Sequence, residues 1–149
     1  MTTQPLHPIP GHERPDGVDD ATIDALGKLS EALEVVEHAR GLLYGFHRMT
    51  GQADFALGDA VEMLRDAGHG EIADEIEADL VGRNVLQGRW TFQLVEEFDD
   101  GYYQRFKDHE RRAREQLGGG VRHLYEAEIK ASRITPGRAG HEAAPTPGT

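Results

Sequence analysis

The chain has 149 residues, which fits a single domain, and its shares of 38% hydrophobic and 29% charged residues exclude a wholly disordered protein. Its net charge of −11 repels nucleic-acid phosphates and anionic membrane surfaces, so we expect neither as a partner. The absence of cysteine excludes disulfides, thiolate metal sites and a cysteine nucleophile.

The positions of proline outline the domain organisation. All seven prolines lie outside the stretch from Asp16 to Thr135, and a proline costs about 3 kcal/mol inside a helix. We therefore predict disordered tails over residues 1–18 and 134–149 around a helical bundle domain over residues 19–133. The N-terminus lacks the basic start and apolar run of a signal peptide, and no stretch approaches the roughly 20 apolar residues of a membrane span. These features favour a cytoplasmic protein.

The first helix is predicted from residue 20 to residue 49, with Asp19 or Asp20 capping its first turn. Seven residues, five of them apolar, recur along it at spacings of three and four, which is typical of a helix that packs lengthwise against another helix. This set, the leucine stripe, comprises Leu26, Leu29, Leu33, Val36, Arg40, Leu43 and His47. The helix is expected to end at residues 49–51, with Gly51 in the left-handed cap conformation.

Four further helices are predicted at short intervals. They cover residues 52–67, 71–81, 89–117 (interrupted at 99–101) and 121–132, with a loop over 82–88 and a glycine break at 118–120. Each shorter helix is marginal alone in water, and short connections favour antiparallel neighbours. The predicted fold is therefore all-α: an up-and-down helical bundle of four main helices plus a short C-terminal helix, with disordered tails.

A candidate metal site lies on the first helix. Spacings of three and four place Glu31, Glu34 and His38 on one helical face. The same face carries three glycines that allow a close approach to the backbone, Gly27, Gly41 and Gly45. Carboxylates and an imidazole on a bundle helix are suitable ligands for a divalent transition metal such as iron, manganese or zinc. The alternative is an ordinary solvated face, and the chain has no Glu-x-x-His pair of the kind found in diiron bundles.

A candidate pocket lies between the first helix and the helix over 89–117. If these two helices are neighbours, Arg40, His47, Tyr102 and His109 form a buried polar cluster that binds a ligand or metal, or responds to pH. The same helices also supply a set of residues for a small-molecule pocket: Tyr44, His47, Trp90, Phe98 and Tyr102. The alternatives are that the histidines reach solvent at the ends of their stripes, and that the sole tryptophan fills one end of the bundle core.

The distribution of charge favours self-association. Residues 59–79 hold eight acidic residues and one basic residue, whereas residues 105–114 hold five basic and two acidic residues. Such segments can pair within one molecule or between two copies. Nucleotide-binding, nucleophile-elbow and HExxH zinc motifs are absent, which argues against an enzyme. We expect a protein that acts by protein–protein interaction as a homo-oligomer. The alternatives are a metal-binding bundle with a redox role and a small-molecule-binding protein.

Overall fold

The computed structural model describes residues 8–144, of which 69% are helical and none forms a strand, which confirms the all-α class. Helix α1 spans Asp20–Asp66, α2 Gly70–Asp79, α3 Thr91–Phe98, a π-helical turn Asp99–Tyr103, α4 Gln104–Leu117 and α5 Leu124–Arg133. Because α3, the π-helical turn and α4 are continuous, the described residues form four helical segments rather than the predicted five. The up-and-down order of the helices stays a prediction. The outermost parts of the predicted tails, residues 1–7 and 145–149, lie outside the described residues.

By their internal contacts the residues divide into two compact units. Unit 1 comprises the described parts of Met1–Val35 and Arg105–Thr149, and unit 2 comprises Val36–Gln104. Helix α1 therefore contributes its first third to unit 1 and the remainder to unit 2. Within the described residues, none of the helices combines the length and apolarity needed to cross a bilayer.

The predicted helix end at residues 49–51 is wrong, since α1 continues for 47 residues through Gly51 to Asp66. A glycine inside a helix costs only about 1 kcal/mol, and the inward-facing residues keep their spacing beyond it at Leu57, Val61 and Leu64. The hydroxyl of Thr50 donates a hydrogen bond to the carbonyl of Phe46 (2.9 Å), a contact made inside a continuous helix. The two predicted helices over 20–49 and 52–67 are therefore one.

Helix α1 begins and ends with recognisable caps. The amide of Thr22 donates to Asp19 Oδ1 (2.8 Å), which confirms the N-terminal cap predicted there. At the other end Gly68 has a φ of 88°, a left-handed conformation that suits glycine. The amide of His69 then donates to the carbonyl of Leu64 (2.8 Å), as in a Schellman motif.

The second half of the chain follows the sequence more closely. Residues 82–88 form the predicted loop, with an isolated bridge between Leu86 and Arg89. The interruption predicted at residues 99–101 appears as the π-helical turn, where one extra residue is accommodated in an unbroken helix. That helix ends before the three glycines at 118–120, as predicted.

Unit 1 is held together by close packing of apolar residues and by one arginine. Ile23, Leu124 and Ala127 are buried. Gly27 lies against the ring of Tyr125, so closely that an added Cβ would come within 2.8 Å of Tyr125 Cβ and Cδ1.

The arginine of unit 1 is Arg14, which belongs to the predicted N-terminal tail. It donates to both carboxylate oxygens of Glu128 (2.9 and 3.0 Å) and to Asp20 (2.7 Å). These partners raise the pKa of Arg14 far above its ordinary value, Glu128 contributing most. Nearby, His12 Nδ1 lies 2.6 Å from the carbonyl of Arg122. Arg14 is therefore anchored to α1 and α5, and His12 to the turn that precedes α5.

Unit 2 has a smaller buried core, made by Val61, Ala73 and Val95. Arg65 near the end of α1 binds Asp74 (2.8 Å) and Glu77 on α2, which ties these two helices together. The carboxylate of Asp54 accepts a hydrogen bond from the amide of Gly82 (2.8 Å), which fixes the start of the loop against α1.

Candidate functional site

Arg40 of the leucine stripe is engaged in an ion pair. Its Nε and Nη2 atoms donate to the two carboxylate oxygens of Asp99 at 2.8 and 2.9 Å, and this contact raises the pKa of Arg40. Its guanidinium carbon also lies 5.6 Å from the ring centroid of Tyr44, in cation–π range. Asp99 is the first residue of the π-helical turn. Arg40 was predicted to join a polar cluster with His47, Tyr102 and His109, and Asp99 was not among the predicted residues.

His47 makes the second contact between α1 and the helix predicted to be its neighbour. His47 Nδ1 and Thr91 Oγ1 share a hydrogen bond of 2.7 Å, and the ring of Tyr44 meets the imidazole edge-on at 5.8 Å between centroids. Arg40, Tyr44 and His47 thus form one chain of contacts along α1. Its partners, Asp99 and Thr91, lie at the two ends of α3.

The aromatic residues predicted for the pocket divide into two groups. Phe98 is half-buried and packs near Tyr102 (5.9 Å between centroids), while Tyr102 itself is exposed. Trp90 lies instead against Phe92 at 5.2 Å. The prediction that Trp90 fills the bundle core is wrong, because the side chain is 57% exposed at the end of the loop.

The residues predicted to bind metal are all exposed: Glu31, Glu34 and His38. Glu31 accepts a hydrogen bond from Lys28 (2.8 Å). Between residues 8 and 144, no three histidine, aspartate or glutamate side chains are grouped so that they can hold a metal ion. Glu31 and Glu34 belong to unit 1, and His38 belongs to unit 2. His109, predicted for the polar cluster, is exposed and belongs to unit 1.

Unit 2 contains a cavity of about 590 Å³ between α1, the loop and the start of α3. Its lining includes Thr50, Leu57, Leu80, Arg83, Val85 and Trp90. Only Trp90 is shared with the predicted small-molecule pocket. Arg83, the one basic residue of the lining, donates to Asp79 (2.8 Å). The cavity is thus largely apolar, with its arginine already paired.

Helix α1 carries a second apolar stripe in unit 2, which was not predicted from the sequence. This outer stripe comprises Ala39, Leu42, Phe46, Met49, Ala53, Ala56, Ala60 and Met63, and all eight residues are exposed. The largest exposed fractions are 66% at Leu42, 68% at Met49 and 71% at Met63. The spacing alternates between three and four over about 36 Å of helix, which is the heptad pattern of helices that pair with other helices.

The outer stripe and the leucine stripe lie about 100° apart around the helix. Leu42 directly precedes Leu43, and Phe46 directly precedes His47, and each residue turns an α-helix by that angle. The seven residues of the leucine stripe are all half-buried, so that stripe faces inward as predicted. Helix α1 therefore has two apolar faces in unit 2, of which one is covered.

No known protein family, no curated protein and no solved structure matches this chain.

Proposed function

We propose that the protein acts by protein–protein interaction, with the outer stripe as its binding surface and self-association as its mode. The observation that carries this proposal is the continuous exposure of all eight outer-stripe residues on one helix. Contiguous apolar patches on the surface of a monomeric protein are generally small, and large ones mark interaction sites. A heptad stripe is the form of patch that a second helix covers best.

The energetic reason for association is the burial of large side chains. Covering a leucine, phenylalanine or methionine stabilises a complex by about 1.5–3 kcal/mol per fully buried side chain. Four such residues of the outer stripe, Leu42, Phe46, Met49 and Met63, are exposed. Association costs several kcal/mol in lost rotational and translational freedom. The four side chains from each of two copies supply enough apolar surface to exceed that cost.

Two other functions were predicted, and they find less support in the described residues. The metal-binding function needs grouped ligands, and no such group occurs between residues 8 and 144. The small-molecule function has a cavity available, but Tyr44, His47, Phe98 and Tyr102 do not line it. Tyr44 instead contacts His47, which also hydrogen-bonds to Thr91, and Phe98 packs near Tyr102.

The test is the mass of the protein in solution, measured by sedimentation over a range of concentrations. We expect the wild-type chain to form a dimer. The double variant Leu42→Glu/Met49→Glu should weaken association at least about a hundredfold, since two apolar contacts are replaced by charges.

The matched control is Phe55→Glu, because Phe55 is 81% exposed on the same helix and lies outside the outer stripe. This variant should associate like the wild type, and all three proteins should keep the same helical content by circular dichroism. A wild-type chain that remains monomeric at every concentration would overturn the proposal.

A further inference from the structure

The order of large and small side chains along the outer stripe bears on how two copies pair. This inference rests on the proposed function. Its large residues Leu42, Phe46 and Met49 precede Gly51, and its alanines at 53, 56 and 60 follow that glycine. At the two ends the order is reversed, with Ala39 before and Met63 after. Positions at equal distances from residue 51 therefore always hold one large residue and one alanine. The four resulting pairs are Met49 with Ala53, Phe46 with Ala56, Leu42 with Ala60, and Ala39 with Met63.

This complementarity distinguishes the two ways in which a second copy of α1 can pack. In an antiparallel pair with its two-fold axis at residue 51, each of the four pairs forms one contact layer between the copies. Every layer then holds one large side chain and one methyl group, so the helices keep a constant separation. In a parallel pair Phe46 would face Phe46 and Ala56 would face Ala56. The large side chains would then clash in some layers, and the facing alanines would leave voids in others.

We propose that two copies of the chain pair through the outer stripes of α1 in antiparallel orientation. The register places the two-fold axis at the level of residue 51 along the helix. The occupant of this exposed face is thus a second copy of the same chain. Contacts are isologous, so the alanine-rich half of each stripe receives the large residues of the other.

The residues beside the stripe are compatible with this orientation. The positions that flank the stripe on the side away from the leucine stripe repeat every seven residues and hold His38, Gly45, Gln52, Asp59 and Asp66. In antiparallel pairs these flanking positions face their counterparts in the other copy. His38 then lies opposite the partner copy's acidic residue 66, and Gly45 leaves space beside residue 59. The amides of Gln52 from the two copies meet near the axis, where they can hydrogen-bond to each other.

The test uses introduced thiols, because the chain has no cysteine of its own. Leu42→Cys and Ala60→Cys are prepared as separate variants, and each site is exposed, so folding should be unaffected. Each variant is oxidised alone, and the two are also oxidised after mixing and exchange. In the proposed register residue 42 of one copy lies opposite residue 60 of the other, whereas two copies of either residue are separated by about 27 Å of helix.

We expect a disulfide-linked species of twice the chain mass in the mixture only. A mixture of Leu42→Cys with Ala53→Cys, which is one heptad out of register, should show little of it. Linkage within either single variant would overturn the antiparallel orientation. A dimer by sedimentation that shows no 42–60 linkage would overturn the register while leaving self-association in place. A monomeric wild-type chain would instead remove the proposed function.

Discussion

The two units of this protein differ in how completely they cover their apolar side chains. Of the large apolar residues that are exposed within residues 8–144, thirteen lie in unit 2 and four lie in unit 1. Unit 1 brings Tyr125 against Gly27 and fixes Arg14 to Glu128, so residues from three separate segments contact one another. Unit 2 covers only one face of α1, with α2 of 10 residues and α3 of 8 residues.

The same helix can therefore have its apolar side chains covered in one unit and left exposed in another. Helix α1 runs through both units with a regular pattern of apolar residues. Whether a face is buried depends on how many other segments are available to cover it, and short helices cover little. In unit 2 the uncovered apolar face is the surface to which we assign a function.

The largest expected effect compares a buried residue of unit 1 with an exposed residue of unit 2. Ile23→Ala should lower the free energy of unfolding by about 2–5 kcal/mol, because Ile23 is 1% exposed and its loss leaves a cavity. Leu42→Ala should change it by less than about 0.5 kcal/mol, since this residue is 66% exposed. Denaturant titrations at concentrations where the chain is monomeric measure both values. Equal losses of unfolding free energy in the two variants would show that the Leu42 side chain is not exposed in the monomer.

A smaller effect is expected from adding one methyl group to a glycine in each unit. Gly27→Ala should destabilise the protein by about 1–3 kcal/mol, since the new Cβ would meet Tyr125 near the root of its side chain. Gly41→Ala on the same helix has open space around it and should stabilise by up to about 1 kcal/mol through helix propensity. The same denaturant titrations measure the free energy of unfolding of both variants. A stabilising Gly27→Ala would contradict the close contact between Gly27 and Tyr125.

The smallest effect concerns the first turn of α1. Hydrogen bonds from the side chain and the amide of Thr22 lower the pKa of Asp19. The carboxylate therefore stabilises the fold at neutral pH, and this contribution is lost as the pH falls through the lowered pKa. Asp19→Ala should reduce the thermal midpoint slightly at pH 7, and its difference from the wild type should shrink as the pH falls below the ordinary range of a carboxyl group. The matched control is Asp24→Ala, which removes an exposed carboxylate one turn further along the same helix.

Much of the helical pattern was predictable because proline and glycine mark its limits. The leucine stripe, the loop over 82–88 and the interruption at 99–101 all follow from spacing and composition. The end assigned at Gly51 failed because a single glycine costs less than losing the continuous inward face of α1. The contact between Arg40 and Asp99 joins residues 59 positions apart, and local sequence patterns do not determine such a pairing.

The candidate surface was harder to predict, although its signal is present in the sequence. Both faces of α1 are apolar at heptad spacing in unit 2, and the sequence does not state which face the short helices will cover. The burial assigned to Trp90 failed for the same reason, because an aromatic residue gives no indication of how much of the chain folds over it.

The exposure of Trp90 has a practical consequence of its own. It is the sole tryptophan of the chain, and it stands at the edge of the cavity in unit 2. The fluorescence of its indole therefore reports on the environment of one place only, with no second indole to average the signal. The protein carries an intrinsic optical label at its cavity, without any chemical modification.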